Sequence, residues 1–290
     1  MLNRIIFITL TIMLFSCSSD DKDNNYQWNQ DAGSDTTDVT DSGSDVTDAA
    51  EDADVIETND PPPNVAGLWA YLNVRSSLVN YPMIGLVEND IKSYLLYNIT
   101  QDGTTLNVEE TACDIIIEST NTMVTTIIPD DFVDSMPIEM RTNELVKQGA
   151  GWAMHQPKYW VTQGVNLSDV ENEELPAEPD DPRVFDQDGD GHPGLTVRLT
   201  GMLSGELYVV QRGWTILEPS VATEMRMEGL ITWADQQVTL DADPASLKIN
   251  PETNPNSNAS RSYYIIVPVS AEMTCSELIE QAETLFPSSK

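Results

Sequence analysis

From Val65 onward apolar and polar residues alternate with period two, and this pattern constrains the chain more than any other feature. Leu195, Val197 and Leu199 alternate with Thr196, Arg198 and Thr200. Met225, Met227, Ile231 and Trp233 share one phase, as do Tyr263, Ile265, Val267 and Val269. Such alternation predicts strands with one buried face. Further strands are expected over 68–74, 92–100, 105–109, 114–117, 123–128, 138–145, 159–163 and 206–217. Gln101-Asp102-Gly103 and Leu203-Ser204-Gly205 fit tight turns, so hairpins follow in series and the sheet is antiparallel. Roughly eight to ten strands must hide their edges, which closure into a barrel does most fully. The expected fold is therefore all-β, an antiparallel meander closing into a barrel, with a two-sheet sandwich as the alternative. One helix is signposted near the C-terminus, at 275–286. Thr274 and Glu277 form a capping box, Leu278, Ala282 and Leu285 share a face, and Pro287 stops it. The helix is expected to pack across an open end of the sheet.

The first 64 residues read differently. Arg4 precedes an apolar run from Ile5 to Phe15, too short for a mature span and suited to a signal peptide over 1–16. Residues 17–64 are rich in Asp, Ser and Thr, with 14 acidic residues and one basic residue between Ser18 and Asn64. Such a segment buries too little apolar surface to offset the entropy of ordering, and its like charges extend it. An acidic stalk is expected, ending at the stiff Pro61-Pro62-Pro63, with a single folded domain over 65–290. A net charge of −34 excludes nucleic acid as a natural partner, since its binders need a positive footprint.

Leu14-Phe15-Ser16-Cys17 resembles the lipobox of bacterial lipoproteins. The resemblance implies cleavage before Cys17 and its acylation, which gives durable attachment to a lipid bilayer. Ser18, rather than Asp, implies the outer membrane, with the domain facing the periplasm or the surface. In that oxidising setting Cys113 and Cys275 are expected to bridge, at roughly 4–5 kcal/mol by the loop-entropy estimate.

The segment DQDGDGHPG, Asp186 to Gly194, carries the clearest site signal. Asp186, Asp188 and Asp190 sit at alternate positions, where Gly191 allows a sharp turn, and His192 follows at the position that ligates through its backbone carbonyl. Calcium takes six to eight oxygens in such a flexible cage. Val197 stands where the bidentate glutamate of an EF-hand belongs, so the loop instead resembles the free-standing DxDxDG loops of thrombospondin-type repeats and dockerins. Asp180 and Asp181 are the nearest sources of further oxygens. Between Asp169 and Asp190 ten acidic residues accompany only Arg183, which favours a cation. The metal region, 178–194, is expected to hold a structural Ca2+ that clips a long excursion between strands.

Gly67-Leu68-Trp69 resembles the GxW signature that opens lipocalins. The resemblance implies that Trp69 closes one end of a lipocalin-like barrel with Arg261 packed over it. Trp152 and Trp160 are candidates for a barrel end or pocket mouth. Together the lipobox, the stalk, the Asp180–Gly194 run and Gly205–Arg212 resemble secreted lipoproteins of myxobacteria and related bacteria, a likeness that implies no activity. No nucleophile elbow, zinc-protease motif or phosphate loop occurs, so catalysis is not expected. Two functions remain open. One is a membrane-anchored, calcium-stabilised barrel that binds a small amphipathic ligand. The other is a structural or protein-interaction surface lipoprotein with a filled core, its partner a cell-envelope protein.

Overall fold

The computed structural model describes residues 60–287 except 82, 83 and 122, and the backbone but not the side chain of Glu252. The signal peptide, Cys17 and nearly all of the stalk lie outside the described residues. The chain divides into Met1–Asp54 and Val55–Lys290, and everything below concerns the second unit.

The alternating segments form strands, many longer than the pattern suggests. In chain order they are β1 (Gly67–Tyr81), β2 (Gly85–Asp102), β3 (Thr105–Ser119), β4 (Val124–Ile127), β5 (Glu139–Gln148), β6 (Gly151–Gln163), β7 (Leu195–Gly201), β8 (Gly205–Leu217), β9 (Val221–Ala222), β10 (Met227–Asp243), β11 (Glu252–Pro255) and β12 (Tyr263–Pro268). A one-turn helix α1 (Asp130–Asp134) follows β4, and α2 (Cys275–Leu285) follows β12. All the strand pairings are antiparallel.

The expected lipocalin-like barrel is not formed. The strand order runs β4-β7-β8-β6-β5-β3-β2-β1-β12-β10-β9, and the path ends at β4 and β9 instead of following the chain around a closed meander. Two long strands divide their pairing. β6 bonds β5 through Gly151–His155 and then β8 from Gln156 onward. β10 bonds β12 over Met227–Leu230 and β8 from Ile231 to Asp243. Each of these strands thus passes from one hydrogen-bonded sheet, built on β1, β2, β3, β5 and β12, into a second built on β7 and β8. The physical cause lies between β6 and β7. The excursion over 164–194 returns the chain so that β7 shares an edge of β8 with β6. What stands is a mostly antiparallel β fold with a short C-terminal helix.

The main core lies between the sheets and is aromatic. Trp69, Tyr71, Tyr97, Trp233 and Tyr264 pack with Met154, Leu106 and Ile266. The Tyr71 and Tyr97 rings meet edge-on with centroids 4.5 Å apart. The other face of β1 is also covered. Ala70, Leu72 and Val74 pack under Leu278 and Phe286 of α2 and its end. The helix therefore lies on the outside of the sheet and not across an open end. Its Thr274–Glu277 capping box is present, and a disulfide joins Cys275, its first residue, to Cys113 on β3.

Candidate functional site

The excursion over 164–194 has its own anchorage. Val165 and Leu175 are buried against Val210 and Leu240, with Val184 alongside. Arg183 is its polar hub. Its Nε and Nη2 donate to the two carboxylate oxygens of Asp181 at 2.9 and 2.7 Å. Its Nη1 donates to Glu173 at 2.7 Å and to the Glu174 carbonyl at 2.9 Å. These bonds to Arg183 hold the Asp181 carboxyl down at about 2. From β8, Arg212 donates to the carbonyls of Val170 and Glu173. The excursion is thus clipped by an arginine network and apolar contacts, which reduces what a cation has to do there.

The DQDGDG loop closes on itself beside this segment. Gly189 and Gly191 donate backbone N–H bonds to the two oxygens of Asp186 at 2.8 and 2.9 Å. The Asp188 carboxylate takes the Thr196 amide at 2.8 Å, and Asp190 takes the His192 amide at 2.8 Å and the Thr196 hydroxyl. Gly194 sits at φ +85°, and a Cβ there would lie 2.2 Å from the Val209 carbonyl oxygen, so glycine is required for the loop to seat on β8.

One carboxylate oxygen from each of Asp186, Asp188 and Asp190 lies within 4.8 Å of the others. This surface cluster is able to hold a metal ion. Asp188 Oδ1 is shielded from solvent and has no hydrogen-bond partner. Burial raises the Asp188 carboxyl above its usual range, and the neighbouring Asp190 and Asp186 charges add to that. A cation is the natural relief for such a group. Asp180 lines the same shallow surface cleft as Asp186 and His192. Asp181 is engaged by Arg183 and does not join the cluster. The His192 ring stacks on Tyr208 with centroids 4.0 Å apart, so its imidazole is occupied by packing.

The aromatic candidates do not converge. Trp69 is buried, with its Nε1–H donating to the Val65 carbonyl at 2.8 Å. It lies opposite Tyr97, whereas Arg261 pairs with Glu88 and Asp90. Along β2 that separates Trp69 from Arg261 by roughly 23 Å, so the lipocalin-type pairing is absent. Trp152 donates to the Asp60 carbonyl and lies under Lys147. Trp160 meets Trp214 edge-on, with Lys158 over both rings.

Sequence reasoning missed the polar lining between the sheets. A cavity of about 190 Å³ is lined by Tyr71, Asn73 and Arg75 of β1, Glu110 of β3, Arg141 of β5 and Asp235 of β10, with Ile115 and Phe132 among its apolar members. Arg141 and Glu110 form an ion pair at 2.5 Å with side chains only 8% and 10% exposed. The legible signal was Asn73 and Arg75 falling on the same alternate positions as the core residues Trp69 and Tyr71.

Protein-family models, curated proteins and solved structures offer no match to this chain.

Proposed function

We propose that the protein is a structural or protein-interaction module, held at the bacterial outer membrane by an acylated Cys17 and projected on its acidic stalk, with a structural Ca2+ in the 186–194 loop. No reaction is proposed for it. The observation that carries the ion is the convergence of three carboxylates around a shielded, unpartnered Asp188 oxygen. Oxygen-only ligands in a pliable loop favour calcium over magnesium, which demands a stricter octahedron, and over zinc, which prefers nitrogen and sulfur. The anchor rests on the lipobox and the apolar run before it.

The small amphipathic ligand is withdrawn along with the barrel. The alternating apolar residues that would line a cup instead fill it, as the packed Tyr71, Tyr97 and Tyr264 show. The remaining space is below the roughly 300–1,000 Å³ of usual ligand pockets. The interaction reading has its own support at β4. This strand closes one end of the sheet path, and its last residue, Ile127, is exposed, as is Met123 just before its start. Met202, 65% exposed, is hydrogen-bonded beside Met123. An apolar sheet edge of this kind suits a protein partner.

Native mass spectrometry of the purified chain with and without chelator tests the ion. One calcium per chain, lost on chelation together with a lower Tm, is expected. An unchanged mass and melting curve would remove the metal from the account. Replacing Cys17 by Ser should release the protein from the membrane fraction and abolish labelling by a palmitate analogue.

A further inference from the structure

β4 stands at one end of the sheet path, paired with β7 on one side and with no strand on the other. Open edges are ordinarily kept from pairing by charge, proline or a bulge. β4 reads Val124-Thr125-Thr126-Ile127 and has none of these, in a chain with 48 acidic residues. β9, at the other end of the path, is only two residues long.

The register fixes which backbone groups are open. Val124 pairs with Gly201, Thr125 with Thr200, Thr126 with Leu199 and Ile127 with Arg198. One residue earlier, the Met202 amide donates to the Met123 carbonyl at 2.7 Å. In an antiparallel ladder the residues that bond one neighbour alternate along the strand. Met123, Thr125 and Ile127 therefore turn their N–H and C=O groups toward β7. Val124 and Thr126 turn theirs to the open edge, where no described residue bonds them.

The side chains carry a matching symmetry. Met123 and Ile127 stand two residues to either side of Thr125, and all three are exposed. A two-fold axis through Thr125, perpendicular to the sheet, sets two β4 strands antiparallel. It places Val124 of each copy opposite Thr126 of the other, so the open N–H and C=O groups meet in reciprocal pairs. It also places Ile127 of each copy opposite Met123 of the other, with Thr125 facing its own counterpart. A strand completed by its own inverted copy suits an isologous contact. The net charge of −34 opposes self-association at long range, but physiological salt screens it beyond roughly 8 Å, and β4 itself is uncharged.

We propose that β4 is a homodimer edge, which joins two copies of this chain antiparallel about Thr125 into one continuous sheet. This rests on the reading of β4 as an interaction edge and names its partner. Four residues a side make a small contact, so it forms where chains are concentrated side by side.

The test is cysteine cross-linking of the full chain in intact cells with copper phenanthroline as oxidant. Cys113 and Cys275 are bonded to each other and do not compete for an added thiol. In the proposed register Thr125 meets its counterpart as a non-hydrogen-bonded pair, with Cα atoms about 4.5 Å apart. Two copies of Thr126 lie beyond the roughly 7 Å that a disulfide spans. Thr125→Cys should therefore give a covalent dimer at least tenfold faster than Thr126→Cys. Adding Ile127→Lys to Thr125→Cys should slow the reaction at least tenfold with Tm retained; should that variant not fold, Met123→Lys takes its place. No dimer from Thr125→Cys, equal rates at 125 and 126, or a rate indifferent to the lysine would overturn the proposal. A photoreactive residue at 125 separates this failure from that of the wider reading. Capture of a different protein alone would remove the second copy and leave β4 an interaction edge, whereas capture of no protein would remove both.

Discussion

At the scale of single residues, the Asp loop and the arginine hub beside it respond to different perturbations. Asp188→Ala removes the oxygen that lacks a partner, so it should lower Tm in calcium and have little effect in chelator. Equal effects in both would mean that Asp188 serves by accepting the Thr196 amide. Gly194→Ala should destabilise by at least about 1–3 kcal/mol, because the new Cβ meets the Val209 carbonyl and φ is positive; urea unfolding measures it. The Asp181–Arg183 pair sets a pH dependence. Asp181 is depressed from 3.8 to about 2 by its bonds to Arg183, so its contribution is fully present above 3.8 and is lost as pH falls through about 2. Glu173 is lowered by the same guanidinium and acts in the same direction. Amide exchange at Asn166, bonded to the Arg183 carbonyl, should lose protection across that window after correction for intrinsic rates. The DxDxDG spacing made the three aspartates and Asp180 legible as neighbours in sequence. The bidentate capture of Asp181 by Arg183 was not legible, since nothing in a run of acids says which one the lone arginine will take.

At the scale of elements, α2 shows how far local pattern carries. Its capping box and terminating proline are local chemistry and appear as the residues require. Its seat on Ala70, Leu72 and Val74 depends on β1 being apolar on both faces near its start, which a reader of alternation assigns to a single buried face. Leu278 is fully buried there, so Leu278→Ala should cost about 2–5 kcal/mol. With the Cys113–Cys275 bridge reduced as well, the helix should lose amide protection before the sheets do. Protection lost everywhere at once would show that α2 is an inseparable part of the core. The strands run longer than the alternation predicts for a related reason. β2 runs 18 residues and β10 runs 17, and each crosses stretches where the alternation lapses, as at Gln236-Gln237. Backbone pairing with a neighbour carries a strand through such lapses.

At the scale of the whole molecule, the two sheets bury charge between them. Glu110 and Arg141 lie 31 residues apart on adjacent strands and meet in the interior. Glu110→Ala should cost about 3–5 kcal/mol by leaving Arg141 uncompensated, and replacing both by apolar residues should cost less. Denaturant midpoints of the single and double variants would measure the difference, and equal losses would argue against a coupled pair. Period-two patterning and turn glycines suffice to establish an antiparallel β chain with a capped C-terminal helix and a cluster of aspartates, because each of these is local in sequence. Folding in three dimensions settled which strand edges meet, where β6 and β10 pass from one sheet to the other, and that an arginine and a glutamate share the interior. Those outcomes depend on contacts between distant residues, and alternation states which face of a strand is buried but not which strand lies beside it.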